Sequence, residues 1–274
     1  MLQPLDEENC RAIVAALKTR GVTSIAVCFL HSYINPKHER RVRAIIAEEY
    51  PEAYVSLSSD INPVFREYER TSTTVVNAYV TPRMVEHLDD FERRVMQRGL
   101  RSRLYTMQAN GGRATFRAAR ERPVHVTNSG PIAGAIAGAY VACLAGYPNA
   151  ITVDMGGTSC DVSLIEGGRP SYATESRVEG YPVQIPTIDL NIVGAGGGSI
   201  AWLDSGHSLR VGPQSAGADP GPVCYRLGGT QPTVTDANLV TGRLNAEYFL
   251  GGEVRLDFEA AEGAIRDNIA RPLG

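Results

Sequence analysis

Lysine is nearly absent from this 274-residue chain: it occurs only at Lys18 and Lys37, and 25 of the 27 basic residues are arginine. The glycine-rich later part therefore offers no phosphate-loop lysine and no lysine for a Schiff base. Cysteine is sparse as well. Cys10, Cys28, Cys143, Cys160 and Cys224 are scattered, odd in number and never spaced as CxxC. That argues against a disulfide scaffold or a cysteine zinc site and for a reducing compartment, the cytoplasm. The histidines, at 31, 38, 87, 125 and 207, show no HExxH or HxH spacing, and no GxSxG elbow occurs. Zinc hydrolysis and serine-hydrolase chemistry thus lack their residues. No apolar run reaches the ~18 residues of a membrane span. Met1 to Asp6 does not lead from basic residues into an apolar stretch, as a secretory signal would. A net charge of -3 makes a general nucleic-acid binder a poor reading.

What is present begins with alternating helix and strand patterns. Residues 7–19 carry Ile13, Val14 and Leu17 at helical spacing and stop at Gly21. Residues 24–30 read as a buried strand, 36–50 as an amphipathic helix opened by Pro36, and 54–57 as a second strand. This alternation predicts a mainly parallel sheet covered by helices. Residues 64–100 read as a long helix broken near Pro82. Nine arginines within 91–122 read as a solvated face rather than an anion site, because no aromatic residues interleave. From residue 124 onward glycine is dense and charge sparse. Residues 130–144 form an Ala/Gly helix whose small side chains suit tight packing at an interdomain seam. The pattern predicts two domains, 1–125 and 126–274.

The sharpest motif is Asp154-Met-Gly-Gly-Thr-Ser-Cys-Asp161, set between two apolar strands. Gly156 and Gly157 allow a turn with positive φ and remove Cβ atoms that would block a ligand. Successive N–H groups in such a turn form a concave anion site suited to phosphate. Thr158 and Ser159 add hydroxyls. Asp154 cannot face a phosphate directly; it makes sense as a partner of Mg²⁺, often through water. Asp161 could do the same or orient water. The alternative is an ordinary hairpin turn. The phosphate reading requires that neighbouring chain leave the bend's amides uncommitted. A second cluster, Gly194-Ala-Gly196-Gly197-Gly198-Ser199, fails the GxGxxG dinucleotide pattern. It reads equally as a flexible loop or as backbone that approaches a nucleotide. Residues 212–222 are too rich in Gly and Pro for regular structure, and Asp236 reads as a helix cap.

These motifs together resemble a known family. Asp154 to Asp161 is similar to the second phosphate loop of the actin/Hsp70/sugar-kinase superfamily, and residues 129–139 to its small-residue connecting helix. More closely, residues 65–79 (FREYERTSTTVVNAY), 107–112 (MQANGG), 193–201 (VGAGGGSIA), 215–222 (SAGADPGP) and 233–239 (TVTDANL) resemble the hydantoinase A / 5-oxoprolinase family, in family order. The resemblance implies an α/β fold of ribonuclease H-like ATPase lobes, with mixed sheets flanked by helices. Residues 1–125 would complete the first lobe. Residues 126–274 would start the second, with connecting helix, phosphate loop and nucleotide loop. Family members carry a further Asp-x-Gly-Gly-Thr loop that is absent before Asp154, so the chain is expected to be an internal piece of a larger subunit.

The implied activity is ATP-dependent opening of a cyclic amide such as a hydantoin or 5-oxoproline, by phosphorylation of the amide oxygen. In that scheme Gly156, Gly157, Thr158 and Ser159 hold phosphate, and Asp154 and Asp161 are the catalytic carboxylates, with Asp154 on Mg²⁺. Gly196, Gly197, Gly198 and Ser199 approach the nucleoside. A hydantoinase B-type subunit is the implied partner. Alternatives are the ATP-using subunit of an acetone/acetophenone-type carboxylase, or an Hsp70-like nucleotide-switched binding module.

Overall fold

Local pattern sets the first elements of the computed structural model, which describes residues 4–178 and 180–274. Helix α1 (Glu7–Thr19) is opened by Asp6, whose carboxylate accepts the Asn9 N–H at 3.0 Å. Strands β1 (Ser24–Val27) and β2 (Tyr54–Leu57) pair in parallel, in register from Ser24↔Tyr54 to Val27↔Leu57. Helix α2 (Lys37–Glu49) crosses between them. Val14, Val27, Val42, Ile45, Ile46 and Leu57 close a core from all four elements. Strand β1 stops short of residue 30 because the backbone of Phe29 is diverted to buried side chains. Its N–H donates to Glu39 at 2.9 Å and its carbonyl accepts from Arg70 at 2.9 Å.

A one-turn helix, α3 (Ser58–Ile61), leads towards α4 (Glu67–Gln97). Contrary to the expected break, α4 runs through Pro82. Proline lacks the N–H that would bond the carbonyl of Ala78. The hydroxyl of Ser24 supplies that bond instead, at 2.6 Å. The buried residues of α4 are mainly polar, Arg70, Thr73, Thr74, Asn77 and Thr81, with Ala78 and Leu88 beside them. Arg70 is 1% exposed and donates to the carbonyls of Val64 and Phe29 and to the Ser58 hydroxyl. Ser58 donates in turn to Glu39, which also accepts the Ser59 N–H. The arginine-rich stretch behaves as a solvated face. Arg94 pairs with Asp90, and Arg120 with Asp89 and Glu92. A hairpin of β3 (Tyr105–Met107) and β4 (Arg113–Thr115) and a short helix α5 (Phe116–Glu121) precede the small-residue helix α6 (Ser129–Leu144).

The chain divides into two compact units, one of residues 1–137 with 170–189, the other of residues 138–169 with 190–274. This differs from the boundary expected near 125. The change of composition there marks the start of a glycine-rich texture, whereas the division falls inside α6. The chain leaves the second unit through β7 (Arg169–Pro170), and the next segment belongs to the first unit. In that segment β8 (Tyr172–Ala173) pairs with β11 (Thr187–Ile188), and β9 (Ser176–Val178) with β10 (Tyr181–Val183). The Gln184 N–H donates to the Thr73 hydroxyl and the Ile188 N–H to the Ala109 carbonyl.

In the second unit, β5 (Ala150–Met155), β6 (Cys160–Glu166) and β12 (Asn191–Val193) form an antiparallel sheet in the order β12-β6-β5. Gly138 of α6 lies so close to this sheet that a Cβ there would stand 2.4 Å from Cγ2 of Thr152. A hairpin of β13 (Ser199–Leu203) and β14 (Leu209–Ser215) follows. Helices α7 (Val234–Val240) and α8 (Phe258–Ile265) share a core with Cys224 and Leu256. The architecture is mixed α/β. The mainly parallel sheet expected from the early alternation is not found: β1 pairs with β2 in parallel, whereas β3–β4, β5–β6, β6–β12, β8–β11, β9–β10 and β13–β14 are all antiparallel.

Burial pushes the Glu39 carboxyl up, but donors from Ser58, Ser59 and Phe29 outweigh it and hold the group below its ordinary 4.5. Its stabilising contribution is complete above 4.5 and is lost as pH falls through the lower folded value. Glu39→Gln is expected to cost about 1–3 kcal/mol at pH 7 and to flatten the acid loss. Urea unfolding across the acid range checks both.

Candidate functional site

Strands β5 and β6 join through a bend at residues 156–159, closed by a hydrogen bond of 2.9 Å from the Gly156 N–H to the Ser159 carbonyl. Contrary to expectation, neither Gly156 nor Gly157 has a positive φ. Their use is the missing side chain: a Cβ on Gly157 would meet nothing within 4 Å. Asp154 and Asp161 are direct cross-strand partners, so both carboxylates project from one face of the hairpin. Like charges in that position destabilise a strand pair unless a cation shares them. Asp154 is exposed and Asp161 is 7% exposed. Oδ2 of Asp161 accepts the Ser159 hydroxyl at 3.1 Å, while its buried Oδ1 has no partner among the described residues.

The triple-glycine loop lies directly behind the bend. The Gly197 N–H donates to the Gly156 carbonyl at 2.8 Å, and the Gly198 N–H to the Gly157 carbonyl at 2.7 Å. In a trans peptide the C=O and the following N–H point in opposite directions. With both carbonyls turned to the loop, the N–H groups of Gly157 and Thr158 point away from it. Both residues are exposed there, and neither amide has a hydrogen-bond partner among the described residues. Neighbouring chain thus consumes the carbonyls of the bend and leaves these amides open. The closeness demands glycine. A Cβ on Gly196 would lie 2.5 Å from the Thr158 nitrogen and 2.6 Å from the Gly157 carbonyl carbon.

A third layer holds the loop. The N–H and hydroxyl of Thr235 both donate to the Gly197 carbonyl, at 2.9 and 2.8 Å. Thr233 caps α7 in a reciprocal capping box with Asp236. Asp236, expected to be the cap itself, instead stands three residues after it as the acidic half of the box, and it does more. Fully buried, it also accepts the N–H groups of Val223 and Cys224. Burial, then the Asp236 carboxylate, push the Cys224 thiol far up, so it stays protonated.

A cavity of about 480 Å³ opens beside the bend. Of the residues singled out from sequence, Gly156, Gly157, Thr158, Gly197 and Gly198 line it; Asp154, Ser159, Asp161, Gly196 and Ser199 do not. Ser199 is buried, and its hydroxyl accepts the Gly196 N–H at 2.9 Å, which closes the loop on itself. The rest of the lining includes Ser215, Tyr225, Asn238, Leu244 and Phe249. Ser215 and Asn238 sit in motifs that stand out by composition. Tyr225, Leu244 and Phe249 carry no local signal beyond Tyr225 following the Pro-Gly loop.

Gly196→Ala is expected to force loop and bend apart and to cost about 1–3 kcal/mol. Gly157→Ala, facing open space, should stay within about 0.5 kcal/mol of the parent. Chemical denaturation of the two variants side by side checks the difference.

Residues 1–50 match the hydantoinase/oxoprolinase N-terminal region profile, and residues 70–274 the Hydantoinase/oxoprolinase profile. The chain is 45% identical over 271 residues to caprolactamase subunit alpha of Pseudomonas jessenii, covering 99% of this chain and 39% of that one. The crystal structure of the ATP-dependent caprolactamase from Pseudomonas jessenii superposes with a TM-score of 0.76 at 45% identity, over 100% of this chain and 40% of that one. Nucleotide-free acetone carboxylase superposes with a TM-score of 0.86 at 34% identity, over 100% of this chain and 39% of that one. The chain therefore spans about two fifths of the length of these relatives. A bend with open amides, a glycine loop that grips its carbonyls and a family profile across 205 residues converge: this chain belongs to the hydantoinase/oxoprolinase family.

Proposed function

We propose that this chain forms part of an ATP-dependent enzyme that opens cyclic amides, with the bend at residues 156–159 holding the nucleotide's phosphates. The observation that carries the reading is the pair of uncommitted amides at Gly157 and Thr158, aimed away from the loop that consumes the bend's carbonyls. N–H groups fixed in this way bind anions without reorganising. The unpartnered Oδ1 of buried Asp161, across from Asp154, fits a hard cation. Asp154 and Asp161 would hold Mg²⁺, which needs only one or two carboxylates when phosphate supplies further oxygens. The cavity wall of Pro222, Tyr225, Leu244 and Phe249 would take the base.

The amide carbonyl is resonance-stabilised, and ATP would activate it by phosphorylating the amide oxygen. The chain's own part is positional. The amides at 157 and 158 neutralise phosphate charge, and Ser159 orients the Asp161 carboxylate. With ADP released in the transfer, water would add to the activated carbon, the ring C–N bond would break and inorganic phosphate would leave. In this reading the second unit begins the second lobe of an actin/Hsp70-like ATPase, and a hydantoinase B-type subunit is the partner. The 45% identity to a caprolactamase favours the cyclic amide. The higher TM-score of 0.86 with acetone carboxylase keeps ketone carboxylation as a second reading.

Titration of the purified chain with ATP tests the phosphate site. With Mg²⁺, ATP at 100 times its dissociation constant is expected to add about 2.7 kcal/mol to unfolding. Asp161→Asn should remove the Mg²⁺ dependence of that gain, yet leave the free protein as stable or more so, because one of two facing charges is gone. Absence of any ATP-dependent gain overturns the reading.

A further inference from the structure

We propose that Asn238 reads the edge of the base and makes this cavity select adenine over guanine nucleotides; the inference rests on the phosphate site proposed above. The cavity wall away from the bend is apolar, and the rings of Tyr225 and Phe249 lie 5.6 Å apart at 39°. Few polar side chains reach this space, and most are already engaged. The Ser215 hydroxyl accepts the Gly217 N–H at 3.1 Å. The Thr235 hydroxyl donates to the Gly197 carbonyl at 2.8 Å. Thr158 belongs to the bend.

Asn238 is different. It is half-buried on α7 and lines the cavity. Its backbone carbonyl accepts the N–H groups of Arg243 and Leu244, which anchors the position, but its side-chain amide has no hydrogen-bond partner among the described residues. A carboxamide offers donors and an acceptor side by side and carries no charge. It therefore matches an edge with one acceptor and one donor adjacent. Adenine presents that edge, a ring nitrogen beside an amino group. Guanine presents two acceptors at the equivalent place, so one half of the amide would face a like group. Stacking against an aromatic wall is indifferent to the base. Selectivity must come from the edge, and Asn238 is the one carboxamide among the residues that line the cavity.

The test is equilibrium titration of the chain, with Mg²⁺, by ATP, GTP and inorganic triphosphate. The parent is expected to bind ATP about tenfold more tightly than GTP. Asn238→Leu and the near-isosteric Asn238→Asp should both lose that preference, with triphosphate affinity held to about twofold of the parent. Circular dichroism and the unfolding midpoint verify that each variant folds, and Asn238→Asp stands alone if the leucine variant does not. Equal binding of ATP and GTP by the parent, or a tenfold preference kept by a folded variant, overturns the assignment of Asn238 and leaves the phosphate site standing. Failure of triphosphate itself to bind removes the phosphate site, and this inference with it.

Discussion

Two backbone hydrogen bonds, from the N–H groups of Gly197 and Gly198 to the carbonyls of Gly156 and Gly157, set the candidate site. They fix the direction of two peptide planes, and through trans geometry they aim two amides outward. Side chains could not do this as tightly, because any Cβ at 196 would overlap the bend. Thr235, Thr233 and Asp236 then hold the loop from behind. Each layer satisfies backbone groups of the next, so none of the polar atoms engaged there is left stranded in the interior. The carboxylate oxygen of Asp161 is the exception, and a buried orphan of that kind is costly without a bound partner.

The first unit depends on a different device. Its long helix turns a polar face inward, and Arg70, Ser58 and Glu39 join the ends of β1, α3 and α4 through charged side chains. A buried charge costs several kcal/mol unless it is paired and hydrogen-bonded. Here backbone carbonyls, N–H groups and one serine bridge the two charges. Ser24 applies the same logic at Pro82, where a hydroxyl takes the place of a missing amide. Polar groups buried in this way specify one arrangement of the elements, because a shifted helix would leave several of them unpaired.

Much of this was legible from residue order. Period and caps located α1, α2, β2 and the β5–β6 hairpin, since those signals are local. The Asp-Met-Gly-Gly-Thr-Ser motif marked the bend, and Asp236 announced a helix, though the cap is Thr233, three residues earlier. The run through Pro82 was not legible, because the group that rescues it is 54 positions away. Nor was the return of residues 170–189 to the first unit, which follows from contacts with Thr73 and Ala109 rather than from composition.

Residue order by itself therefore determined where the chain bends without side chains and which carboxylates flank that bend, because turn chemistry and strand alternation act over a few residues. Tertiary structure alone decided which face of the bend is free. That depends on the triple-glycine loop some 40 residues later docking on the carbonyl side. It also decided that Tyr225, Asn238, Leu244 and Phe249 share one cavity with the bend. Contacts so distant along the chain are written in no local pattern; they exist once the intervening strands have packed.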